Sequence, residues 1–118
     1  MAKKKPRSRE RMRAPESEYR SPEGDMLVLR GAMTPGTRRE YATTLAGSPL
    51  SREDAWQRGV EFLFERLAVR WEIAGTEPLT RQKDLLGRFR MASQEERRWI
   101  REVLREHVAE HFPDLDPP

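Results

Sequence analysis

Residues 51–75 read SREDAWQRGVEFLFERLAVRWEIAG, and two different apolar periods follow one another in this stretch. Ser51 stands where an N-cap is expected, and Asp54 follows three residues later, in place of the usual glutamate of a capping box. The pattern therefore predicts a helix that begins after Ser51. Its apolar side chains recur at i, i+4, i+7, i+8 and i+11, on one helical face: Trp56, Val60, Leu63, Phe64 and Leu67.

After Leu67 the apolar residues alternate with other residues, and Gly75 ends the run. Alternation is typical of a half-buried strand, here carried by Val69, Trp71 and Ile73, although a helix that continues to Trp71 is the alternative. The apolar run at residues 26–30 (MLVLR), between Gly24 and Gly31, predicts a second strand. Two strands alone are marginal in water, so we expect them to pair with each other against the helices. The two intervening helices permit a parallel pair, but the sequence does not fix the direction.

Three further helices are predicted around this stretch. Thr34-Pro35 is typical of an N-cap followed by proline at the first helical position, in a short helix that Gly47 and Ser48-Pro49 end. Thr80 is the expected N-cap of a helix whose inner face carries Leu85, Leu86 and Phe89. Ser93-Gln94-Glu95-Glu96 is a full capping box before a last helix that Pro113 ends. The inner face of that helix is expected to carry Trp99, Ile100, Val103, Leu104, His107, Val108 and Phe112.

These elements predict a mostly helical α+β fold, with about four helices packed on a small two-stranded sheet. We expect a single compact domain over residues 25–113. Residues 1–24 lack apolar periodicity and contain Pro6, Pro15 and Pro22, so we expect a disordered basic arm there. Residues 114–118 are expected to fray.

Composition limits the classes of function. The chain of 118 residues contains no cysteine, which excludes disulfides, thiolate metal sites and cysteine nucleophiles. No apolar run has the length of a signal peptide or a membrane span, so we expect a cytoplasmic protein without membrane association. No nucleophile motif or phosphate-binding glycine loop is present in the sequence, and we expect neither enzymatic activity, nor a cofactor, nor a metal.

Charge is distributed unevenly along the chain. Residues 1–20 hold eight basic and three acidic side chains, whereas the other 98 residues hold 15 and 17. The arm is therefore the candidate for non-specific contact with nucleic-acid phosphates, and a purely solubilising tail is the alternative. The candidate nucleic-acid-binding residues are Lys3, Lys4, Lys5, Arg7, Arg9, Arg11 and Arg13.

His107-Val108-Ala109-Glu110-His111 matches the H-x-x-E-H pattern of some zinc hydrolases. Two histidines at i and i+4 share a helical face and can share a zinc ion, but a catalytic site also needs a third ligand and an enclosed cleft. Only seven residues follow His111, and no second motif supplies that ligand. The sequence therefore favours a structural or surface histidine pair.

The three tryptophans, Trp56, Trp71 and Trp99, allow two interpretations. They could stack on nucleic-acid bases, but their positions on apolar faces favour packing in the core.

Residues 51–105 resemble small phage tail-assembly chaperones. The resemblance lies in the long apolar helix, the Val69-x-Trp71-x-Ile73-x-Gly75 strand and a helix opening at Leu79-Thr80. It implies a protein-binding function. Together with the missing reaction centre, it leads us to expect a non-enzymatic interaction or adaptor module that binds a protein partner or itself, while the arm contacts acidic surfaces. A small nucleic-acid-binding protein is the alternative.

Overall fold

The sheet is built around a short apolar strand with a neighbour on each side. The structure, a computed structural model, describes residues 15–46 and 51–118. Within them, β1 (Glu16–Arg20), β2 (Met26–Arg30) and β3 (Ala68–Glu72) form an antiparallel sheet in the order β1-β2-β3. The strand predicted at residues 26–30 is confirmed, and so is the change from helix to strand after Leu67.

Four helices account for most of the remaining described residues. They are α1 (Pro35–Ala46), α2 (Arg52–Leu67), α3 (Gln82–Arg90) and α4 (Gln94–His111). Ser51 caps α2 by accepting a hydrogen bond from the Asp54 N–H, and Ser93 and Glu96 form the complete capping box of α4. The expected cap at Thr80 is wrong, because α3 begins one residue later and its N-cap, Arg81, makes no side-chain capping bond.

One hydrophobic core joins the helices to one face of the sheet. Leu27 of β2 and Trp71 of β3 are opposite each other in the register, and both are fully buried. The Phe64 ring meets Trp71 edge to face at 5.5 Å between centroids and stacks on Phe89 of α3 at 4.8 Å. The helical faces predicted from the sequence therefore supply the core, as expected for apolar stripes of this period.

The predicted two-stranded sheet contains a third strand. Glu16–Arg20, which the sequence analysis assigned to the arm, forms β1 and pairs with β2 through a turn at residues 21–25. Gly24 in this turn has φ +94°, which glycine adopts at little cost. β1 was not predicted because its inward-facing residues, Ser17 and Tyr19, give no apolar alternation. Their polar atoms form hydrogen bonds with α4.

The C-terminal residues contact the body, although we expected residues 114–118 to fray. Pro118 is buried, and its carbonyl accepts hydrogen bonds from Arg101 Nε (3.2 Å) and Arg105 Nη1 (2.8 Å). The Tyr41 hydroxyl donates to the Asp116 carbonyl at 2.6 Å. Since these partners lie on α1 and α4, the tail fills the space between the two helices.

Candidate interaction surface at the edge of the sheet

Among the described residues, 15–46 and 51–118, no strand pairs with the outer edge of β1, which therefore presents main-chain groups for pairing. Ser21 N–H donates to the Asp25 carbonyl and Gly31 N–H to the Pro15 carbonyl, at the two ends of the β1–β2 ladder. In an antiparallel pair the bonded positions alternate, so the odd-numbered residues of β1 bond to β2. The even-numbered residues therefore direct their N–H and C=O groups away from β2: Glu16, Glu18 and Arg20.

The side chains of β1 divide between two faces. Ser17 and Tyr19 face α4 and are half-buried, whereas Glu16, Glu18 and Arg20 are exposed. Glu18 and Arg20 form an exposed ion pair at 3.7 Å. Such a pair adds little to stability, but both signs of charge remain available beside the free edge.

His107 anchors β1 to α4 from inside the protein. The side chain is fully buried, its Nδ1 lies 2.8 Å from the Tyr19 hydroxyl, and its Nε2 lies 2.8 Å from the Arg30 carbonyl. A carbonyl only accepts, so Nε2 carries a proton and donates to Arg30; in the neutral ring Nδ1 then accepts from the Tyr19 O–H. One imidazole thus joins α4 to β1 and to the end of β2.

Burial determines the protonation states of His107 and Tyr19 in this contact. Removal of imidazolium hydration lowers the pKa of His107 from its usual 6.5, although the Arg30 carbonyl partly opposes the change. The pKa of the Tyr19 hydroxyl is raised, first by burial and then by the nearby carboxylates of Glu110 and Glu106. Both effects favour the neutral His107–Tyr19 pair at neutral pH.

A second polar contact lies one helical turn further along α4. His111 Nε2 lies 3.0 Å from Ser17 Oγ, and the two imidazole rings are 4.4 Å apart between centroids. This packing leaves little room at the neighbouring Gly31, where a Cβ would lie 3.0 Å from His111 Nδ1 and 3.1 Å from the Pro15 ring, so a larger residue would displace one of them. The H-x-x-E-H residues therefore hold β1 in place.

The described residues around His107 and His111 do not supply the ligands that a zinc site would need. Both ring nitrogens of His107 are engaged in hydrogen bonds to Tyr19 and Arg30. Among residues 15–46 and 51–118, no group of three or more His, Asp or Glu side chains is arranged to hold a metal ion. A shared zinc would have to displace the contacts that fix β1.

An acidic groove continues the edge of β1 beyond its turn. It has a volume of about 530 Å³ and lies between the β1–β2 turn and the first half of α4, where Trp99 is half-buried. Arg98 is the basic residue of its lining. The carboxylates that line it are Glu23, Asp25, Glu95, Glu96 and Glu102.

An arginine groove lies on the other side of α4, against α2. It measures about 540 Å³, and its polar lining consists of Arg97, Arg98, Arg101, Gln57, Gln94 and Glu53, whose carboxylate lies 3.5 Å from Arg101. The Arg97 guanidinium lies over the Phe89 ring at 5.0 Å, and that of Arg101 lies over the Trp56 ring at 5.1 Å. Trp56 is thus a half-buried support for an arginine, whereas Trp71 is the fully buried tryptophan of the core.

The residues predicted to bind nucleic acid lie outside the described residues: Lys3, Lys4, Lys5, Arg7, Arg9, Arg11 and Arg13. The charges around them are nevertheless clear from the sequence. Residues 1–14 hold seven basic side chains and one acidic, and the other 104 residues hold 16 and 19. The positive segment therefore leads directly into β1, and the rest of the chain carries a net negative charge.

Sequence reasoning missed β1 and its two anchoring side chains. A signal was available, because Ser17 and Tyr19 alternate with charged residues and a turn containing Pro22 and Gly24 follows. When polar residues alternate with charged ones, no apolar face is visible in the sequence. The strand signal of β1 is therefore far weaker than that of the alternation around Trp71.

Comparisons with protein-family models, with curated proteins and with solved structures find no match for this chain. Among the helices of the described residues, none combines the length and apolar character needed to cross a membrane.

Proposed function

We propose that the protein is a non-enzymatic interaction module, which binds an extended protein segment along the free edge of β1. The observation that carries the proposal is the row of outward main-chain groups at Glu16, Glu18 and Arg20. An exposed strand edge is a template for one more strand, in which main-chain hydrogen bonds supply affinity. The seven basic residues of the arm that precede β1, within residues 1–14, then contact acidic groups that flank the bound segment.

Rigidity of the edge supports this function. β1 is short, but the contacts Tyr19–His107 and Ser17–His111 fix it to α4. A binding edge that is ordered before its partner arrives avoids part of the entropy cost of association. His107 and His111 thus support the interaction by holding the strand, without taking part in chemistry.

The test is selection of binding peptides from a displayed random library on the immobilised full-length protein. We expect extended sequences rich in Asp and Glu at one end to be enriched. Glu18→Pro removes an outward N–H that β2 does not use, so it should abolish binding of the selected peptides. Glu18→Ala keeps the N–H and is the matched control, which should bind nearly as well as the wild-type protein.

Circular dichroism and thermal melting must show that both variants remain folded. Selection of no peptide, or equal binding of selected peptides to the proline and alanine variants, would contradict the proposal.

A second candidate function is direct binding of nucleic acid, which the arginine groove favours. Arg98 is exposed in the lining of this groove, and a guanidinium suits contact with phosphates, whereas Arg97 and Arg101 also donate to main-chain carbonyls. Fluorescence anisotropy with a labelled DNA duplex at low and high salt separates the two candidates. In the leading function, changing the seven basic residues of the arm to Gln removes all binding. In the second, that variant still binds, and an added Arg98→Ala weakens it.

A further inference from the structure

We infer that the segment paired with β1 is β1 of a second copy, in a two-fold dimer with one continuous six-stranded sheet. The inference rests on the proposed function, because it takes the edge of β1 as the binding element and names its partner. A two-fold dimer presents the same surface on both subunits, so the edge has to complement itself.

The geometry of β1 meets this condition. When two copies of β1 run antiparallel with Glu18 opposite the partner's Glu18, Glu16 lies opposite the partner's Arg20 on each side. Each of the three residues with outward main-chain groups then lies opposite a partner residue whose main-chain groups also point outward. In this register every outward N–H and C=O of the two strands forms a ladder hydrogen bond.

The exposed charges favour the same register. Glu16 and Arg20 are both exposed, and the two cross-strand pairs they make have opposite charges. The two Glu18 side chains at the centre repel each other, which weakens the dimer. The dimer is therefore restricted to the register in which the outer Glu16–Arg20 pairs offset this repulsion. Charged edges of this kind also prevent indiscriminate strand pairing.

The start of β1 lies beside an acidic surface of the partner in this arrangement. Antiparallel pairing places Pro15 opposite the partner's Ser21, which lines the partner's acidic groove. That groove has five carboxylates and one arginine, whereas the arm has seven basic residues and one acidic. Fourteen extended residues span at most about 50 Å, which is ample to run along the groove.

Sedimentation equilibrium of the full-length protein at low salt tests the inference. We expect a concentration-dependent equilibrium between monomer and dimer. Glu16→Arg and Arg20→Glu each replace two attractive pairs by two repulsive ones and should raise the dissociation constant about tenfold. An equimolar mixture of the two variants restores both attractive pairs and should dimerise as well as the wild-type protein.

Two further variants test the register and the arm. Glu18→Gln removes the central repulsion and should strengthen the dimer, whereas any register that pairs Glu18 with an arginine predicts weakening. Changing the seven basic arm residues to Gln should weaken the dimer and remove most of its salt dependence.

A protein that stays monomeric at all concentrations overturns the inference, and so does a dimer that survives Glu18→Pro or a mixture that fails to restore dimerisation. These results are distinct from failure of the proposed function. A monomer that still selects peptides through the edge of β1 keeps the proposed function and loses only the second copy as partner.

Discussion

β1 and β3 each form an edge of the sheet and each contain five residues, but they are held by different interactions. β3 places Trp71 in the core, and its outer side exchanges two hydrogen bonds of 2.9 Å with Leu79. β1 is held by two hydroxyl–imidazole contacts, and within the described part of the chain β2 is its strand partner.

Within the described residues, one edge of the sheet is thus covered by main chain and the other is not. The Leu79 backbone occupies main-chain groups of β3 that would otherwise attract another strand. At β1 the polar anchors hold the strand from its inner face and leave its outer groups available. If the comparison holds, loss of the buried tryptophan of β3 should cost more stability than loss of either polar anchor of β1.

The largest effect is expected for Trp71→Ala. The substitution removes a fully buried indole that contacts Phe64, so it should lower the free energy of unfolding by about 3–5 kcal/mol. Urea denaturation followed by circular dichroism measures the change. Trp71→Phe retains much of the packing and should lose clearly less; equal losses would show that a smaller ring recovers none of the packing at this position.

His107→Ala should cost about 2–4 kcal/mol, because it leaves a cavity and removes the partners of the Tyr19 hydroxyl and the Arg30 carbonyl. Urea denaturation again gives the value. His111→Ala is the matched control one helical turn away, and its loss should be smaller because His111 is only half-buried. A smaller loss for His107 than for His111 would refute the assignment of His107 as the main anchor.

Stability should also decrease in mild acid, by less than the His107→Ala loss. The folded-state pKa of His107 lies below the unfolded value of 6.5, so the unfolded chain binds more protons as the pH falls below that value. The contribution is fully present above pH 6.5 and is lost as the pH falls towards the folded-state pKa. His107→Gln does not titrate, and its free energy of unfolding, measured at several pH values, should depend less on pH in this window.

The smallest effect is expected for Ser17→Ala, which removes the 3.0 Å contact with His111 in a half-buried setting. We expect a loss of about 0.5–1 kcal/mol, typical of one hydrogen bond. Glu16→Ala, on the exposed face of the same strand, should change the stability by less. Thermal melts of the two variants side by side make the comparison.

The same contrast explains which parts were predictable from the sequence. β3 and the helices carry apolar periods, because their side chains are buried against other apolar groups. These periods, with the short apolar run at residues 26–30, predicted the α+β class. β1 carries no such period, since Tyr19 and Ser17 satisfy polar partners about ninety residues away. The alternation of these residues with charged ones is a weak strand signal, and no local pattern encodes their partnership with α4, which came from the structure.

The long separation between Tyr19 and His107, 88 residues along the chain, has a consequence for biosynthesis. A two-stranded hairpin is marginal by itself in water, so β1 and β2 gain little from pairing while the rest of the chain is still being made. The anchor for β1 emerges from the ribosome only with the last turns of α4. The outer edge of β1 is therefore fixed in place only after the rest of the fold that carries it has been made.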